Sequence, residues 1–192
     1  MHQQLVQLMR IFSVLICFGL SFGSLSAQSS SALALATSHF LETLSPDELK
    51  IVNHKFADTL RFKWTNLPVG MVPRPGIQYG SLSDDSRIAF HELLTTALSS
   101  QGYLKLTSIM QLDDILNTLY QQAFDKGKIK QETLKMTQNL KWAHGNYFIS
   151  VWGKPGDKDP WGINFGGHHI ALSLTISGAS IAISPLFIGT DP

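Results

Sequence analysis

From Tyr147 onward the apolar residues fall into a period of two, and this switch constrains the fold more than any other feature of the chain. "YFISVWG" reads as a strand, "KPGDKDP" (Lys154–Pro160) as a turn-rich loop and "WGINF" as a second strand. "HHIALSLTI" and "SIAISPLFI" alternate around "SGA", the pattern of a β-hairpin. Upstream of Tyr147 the periodic segments have helical spacing instead. Helices first and strands afterwards predict an α+β domain, with N-terminal helices packed on a C-terminal antiparallel sheet.

The helical half carries its own start signals. In "SPDEL" Ser45 can cap, Pro46 suits the first helical position and Glu48 completes a capping box, so a helix is expected to about Phe56. Ser83 caps a second helix, with Asp84 and Asp85 in its first turn and an apolar stripe of Phe90, Leu93, Leu94, Ala97 and Leu98. Gly102 is expected to stop it. A third helix over about 104–121 places Ile109, Leu112, Ile115, Leu116 and Leu119 at helical spacing, and "KGKIKQETLKMTQNL" is helical in part. Residues 28–37 read as a polar-to-small lead-in. The segment Arg61–Ser83 has three prolines and three glycines and is expected to be an extended loop of functional length.

The first residues have the look of a leader. Arg10 precedes "IFSVLICFGLSFGSLSA", an apolar run with a small-residue exit, which is the pattern of a secretory signal peptide over residues 1–27. Such a chain is expected to be secreted or periplasmic, with no stable membrane span after processing and a single α+β domain over 28–192. The one cysteine, Cys17, lies inside the apolar run, so the mature chain has no disulfide and no thiolate ligand or nucleophile. With 15 Lys+Arg against 14 Asp+Glu and no basic patch of five or more residues, the charge balance gives no hint of nucleic acid, and no nucleic-acid partner is expected.

Several stretches together resemble the mostly bacterial, secreted family catalogued as domain of unknown function 3500. They are "FLETLSPDE", "RFKW…VPRPG", "HELLTTALSSQGYLK", "YFISVWGKPG", "WGINFGGHHIALSLT" and "PLFIG", covering about residues 40–192. The resemblance implies that the chain corresponds to the N-terminal half of a longer family member. The end at "PLFIGTDP", directly after a strand, likewise implies association through an open sheet edge.

The histidines carry the chemistry. In a regular strand His168 aligns with Ile170, Leu172, Leu174 and Ile176, while His169 aligns with Ala171, Ser173 and Thr175, so the two rings point apart unless Gly166 and Gly167 permit a bulge. His91 lies at the border of the apolar stripe of its helix and can meet His168 if that helix packs on the hairpin. His91 and His168 are therefore the candidate metal ligands, for a divalent ion such as zinc or iron held by imidazole, carboxylate and water. Glu92 and Asp85 lie toward the opposite face. His169 is the candidate proton carrier. Arg74, held between prolines in "PRPG", is the candidate substrate-orienting group, since a guanidinium suits a carboxylate or phosphate. Each has a structural alternative: buried histidines bonded to carbonyls, an arginine bonded to its own loop, and Trp64 and Trp161 as packing instead of pocket walls. Two readings of function stay open. One is a metal-dependent extracytoplasmic enzyme acting on a small polar or anionic molecule. The other is a secreted binding module with structural histidines.

Overall fold

The structure is a computed structural model, and it describes residues 21–156 and 158–189. The leader's apolar run before Ser21, Cys17 included, lies outside the described residues. Among the described residues five α-helices and a six-stranded sheet give the expected α+β order. The helices are α1 (Ser21–Glu42), α2 (Pro46–Val52), α3 (Asp84–Ala97), α4 (Ser100–Asp125) and α5 (Gln131–Asn139). The strands are β1 (Asn53–His54), β2 (Ile77–Gln78), β3 (Phe148–Trp152), β4 (Trp161–Gly166), β5 (Ile170–Ser177) and β6 (Ser180–Ile188).

β3, β4, β5 and β6 form an antiparallel meander, as their alternation requires. Two short strands that the sequence did not announce complete the other edge. β1 runs parallel to one end of β3 and β2 antiparallel to the other. Two-residue strands are too short to show a period. Gly76 makes the second pairing possible: it takes φ 98°, and a Cβ there would lie 2.1 Å from the Ile149 carbonyl oxygen.

Residues 28–37 are helical and not a lead-in. Ser30, Leu33, Thr37 and Phe40 are buried at spacings of three and four, the period of a helix packed along one side. Thr37 satisfies its buried hydroxyl on the Leu33 carbonyl, 2.7 Å away. α1 lies against α3, where Phe40 meets Phe90 with ring centroids 5.4 Å apart. Phe90 in turn meets Phe165 of β4 at 5.0 Å, so helices and sheet share one core. α2 keeps its capping box but ends at Val52, earlier than expected, because Asn53 leaves for the sheet.

Two helix readings need correction. Leu98, in extended conformation, ends α3; Gly102 belongs to the first turn of α4, where its N–H donates to the capping Ser99 hydroxyl at 3.2 Å. The buried stripe of α4 is Leu106, Ile109, Met110, Asp113 and Leu116, while Leu112, Ile115 and Leu119 are exposed. α4 is apolar on two sides, so spacing alone does not say which side turns inward.

On the far face of the sheet lies the loop between β1 and β2, residues 55–76. Arg61 reaches Thr175 of β5 at 3.3 Å, and the Asn164 amide of β4 donates to the Arg61 carbonyl at 3.1 Å. β6 pairs with β5 on one side and with no described strand on the other. Ile181, Ile183, Leu186 and Ile188 on it are exposed.

Candidate functional site

The glycine–glycine–histidine–histidine run is the tip of the β4–β5 hairpin. β4 ends at Gly166, β5 starts at Ile170, and the Gly167 N–H donates to the Ile170 carbonyl at 2.8 Å. The strand alternation therefore does not reach the histidines, and the expected opposite-facing rings do not occur. The two imidazoles lie together, centroids 4.2 Å apart and planes tilted by 46°. Gly167 is needed because the Tyr147 ring passes beneath it. A Cβ at residue 167 would sit 2.8 Å from Cδ1 of that ring.

His169 points inward, toward α4. Its Nδ1 lies 2.6 Å from Oδ1 of Asp113, and the Tyr147 hydroxyl donates to Oδ2 of the same carboxylate at 2.8 Å. All three groups are buried: Asp113 is 2% exposed, His169 7% and Tyr147 0%. A carboxylate only accepts, so Nδ1 carries a proton, and in the neutral ring the lone pair is on Nε2. No described residue bonds that Nε2. Burial, and then the Asp113 charge, push the Tyr147 phenol far above its usual range, so it stays a donor.

His168 lies at the half-exposed side of the tip. Its ring stacks on Trp142, centroids 6.1 Å apart and planes 17° off parallel, and its Nδ1 donates to the Asn66 carbonyl. Burial holds its pKa below the ordinary imidazole value. Its Nε2 is also without a described partner. Trp142 is held from α4, whose Asn117 donates to the Trp142 carbonyl and whose Tyr120 ring stands 5.5 Å from the indole. One stripe of α4, Asp113, Asn117 and Tyr120, thus organises the segment 142–147 and the hairpin tip together.

His91 is elsewhere. Its Nε2 lies 2.8 Å from the Tyr79 hydroxyl and its Nδ1 2.9 Å from the Tyr103 hydroxyl, so both nitrogens are occupied. Burial holds its pKa below the ordinary value. The expected pairing of His91 with His168 is not among the contacts of either ring. Among the described residues no group of three or more His, Cys, Asp or Glu side chains is placed to hold a metal ion. Glu92 pairs instead with His39, at 3.2 Å.

Arg74 does tie the long loop to the tip. Its guanidinium donates to the carbonyls of Val72, Thr65 and Leu67, and at 2.9 Å to that of Gly167. Of the two tryptophans, Trp161 is core, its indole N–H bonded to the Gly156 carbonyl at 2.9 Å. Trp64 is half-exposed, stacks on Phe187 and lines a cavity on the far face of the sheet.

Asp113, the partner of His169, was missed from the sequence. Its signal was present: an acid in register with Ile109, Met110 and Leu116 interrupts an apolar stripe, and such an acid needs a buried partner. With the "GGHH" tip and its surroundings in place, the comparison with known families agrees with the sequence motifs. The chain belongs to the DUF3500 family. The model described as "Protein of unknown function (DUF3500)" matches residues 26–192, which takes in all but the first five residues of α1, everything from there through β6, and every residue of the site. No curated protein and no solved structure matches this DUF3500 chain.

Proposed function

We propose that this chain is an extracytoplasmic protein with a proton-transfer site, in which His169 acts as base toward a small polar or anionic molecule. One observation carries the reading. A buried carboxylate fixes Nδ1 of His169, a buried phenol fixes the carboxylate, and Nε2 is left without a partner among the described residues. Asp113 sets the tautomer and stabilises the imidazolium that forms when Nε2 takes a proton. His168 stands beside it with its own Nε2 unpartnered, placed to hold substrate or pass on the proton. Arg74 acts as a positioning residue, because its bond to the Gly167 carbonyl fixes the tip from behind. Export rests on the leader pattern at Arg10 and the apolar run after it.

A panel of small esters, amides, lactones and phosphoesters offered to the exported protein tests this. Turnover of one class, reduced about a hundredfold or more by His169→Asn with unchanged melting, is the expected result. No turnover of any class would favour the binding-module reading, with structural histidines.

A second reading has its own support. His168 and His169 are both anchored through Nδ1 to an oxygen acceptor, with adjacent rings, which is how metal-ligating histidines are usually oriented. Two imidazoles fall short of the three protein ligands common in catalytic zinc sites, so an ion here would take its remaining ligands from water, substrate or a partner. Elemental analysis of the protein purified without chelator separates the readings: stoichiometric zinc or iron, lost in His168→Ala, supports the metal.

A further inference from the structure

On the face of the sheet away from the helices, a cavity of about 40 Å³ opens between the strands and the 55–76 loop. Its floor is a row of three polar side chains, one from each of three adjacent strands: Ser150, Asn164 and Ser173. Pro185 closes one side, at the point where β6 spends Ser184 and Pro185 against the single Ser173 of β5. Such bulges recur beside binding sites. Trp64 and Pro75 of the loop form the wall.

Three features of this cavity are unresolved within the protein. Ser173 donates to Asn164 at 2.9 Å and Asn164 donates to the Arg61 carbonyl, so those two are satisfied. Ser150, 1% exposed, has a hydroxyl with no partner. A buried polar group without a hydrogen bond is costly, and each native case calls for an explanation. Arg74 lines the cavity and gives its bonds only to neutral carbonyls, so no carboxylate neutralises it, while burial works against its charge. Lys63 also lines the cavity and has no ion-pair partner among the described residues. Among the described residues no acidic side chain lines the space.

We propose that this cavity binds a small carboxylate, with the Ser150 hydroxyl donating to one oxygen and Lys63 and Arg74 supplying the charge. A space of about 40 Å³ exceeds the roughly 10–15 Å³ that one water needs and suits a group of a few heavy atoms, with a longer ligand continuing past Trp64. The site is distinct from the His169 centre, since neither His168 nor His169 lines it.

The probe is acetate, titrated against the full chain and followed by melting temperature and by the amide resonances of Ser150 and Lys63. Sodium chloride at equal ionic strength, acetamide and inorganic phosphate serve as controls. Acetate should raise the melting temperature saturably and shift both resonances, and chloride and acetamide should not. Ser150→Ala should melt no lower than the parent without acetate, because it removes an unsatisfied hydroxyl, yet weaken half-saturation about tenfold. Lys63→Gln should weaken it in the same direction, and His169→Asn should leave it unchanged. Equal response to chloride, equal or tighter binding of phosphate, or unaltered acetate binding in Ser150→Ala would each overturn the proposal.

Discussion

Two consecutive residues of α4 make the same bond in different surroundings. Asp113 meets His169 at 2.6 Å and Asp114 meets His144 at 2.5 Å, both through Nδ1. In the first pair the side chains are 9% and 3% exposed, in the second 51% and 49%. The chemistry is identical and the consequences are not. Water competes for every atom of the outer pair and screens its charges, so little is lost when it breaks. The inner carboxylate has no water to return to, and it also holds the Tyr147 hydroxyl. Removing it strands a phenol and an imidazole in the core. Distance alone therefore says nothing about which aspartate matters; burial and the number of dependent partners do.

The sharpest way to break this comparison is to truncate the inner carboxylate. Asp113→Ala should cost about 3–5 kcal/mol, the range for breaking a buried pair, and Asp113→Asn clearly less because it keeps shape and hydrogen bonding. Chemical denaturation of both variants measures it, and an Asp113→Ala loss under about 1 kcal/mol would show that the pair is not truly desolvated.

His91 sharpens the comparison from another side, as a half-buried imidazole whose partners are the phenols of Tyr79 and Tyr103 and not a carboxylate. Burial lowers the pKa of His91, and likewise those of His54 and His168. The unfolded chain therefore takes up protons near the ordinary imidazole value, about 6.5, that the folded chain refuses. Stability contributed by the neutral rings is present above that pH and is lost as pH falls below it. Melting temperature measured from pH 8 down to pH 5 should fall below about 6.5, and His91→Gln should remove part of that fall. An unchanged slope in the variant would mean that His91 titrates normally.

The smallest effect belongs to the outer pair. Asp114→Ala should cost about 0–1 kcal/mol, and that cost should shrink in high salt. A larger loss would mean that the bonds from Asp114 to both the ring and the backbone N–H of His144 do more to hold the segment 142–147 than exposure suggests.

How far the sequence could be read varies by element. Wherever one face of a long element is buried, the pattern was legible. β3 to β6 were found from their alternation and α2 and α3 from their caps, and the family was identified from contiguous motifs. α1 was missed because serine and alanine are at once lead-in and close-packing residues. α4 was found, but its inward side was misassigned, because Leu112, Ile115 and Leu119 are as apolar as the residues that are buried.

The site divides the same way. Local chemistry sufficed to single out His168, His169, Arg74 and their glycines, and the order of helices and strands was enough for the α+β class. Which way the rings turn was decided by the hairpin, because a tip of three residues interrupts the alternation just where the histidines lie. Which carboxylate serves His169 was decided by the packing of α4 on the sheet, which brings together residues 56 positions apart. Whether Arg74 meets an acid or only carbonyls was settled by where the long loop lies. Periodicity and capping act over a few residues and are written in the order of the chain. Partners across the fold follow from which surfaces are buried against each other, and that order does not encode them locally.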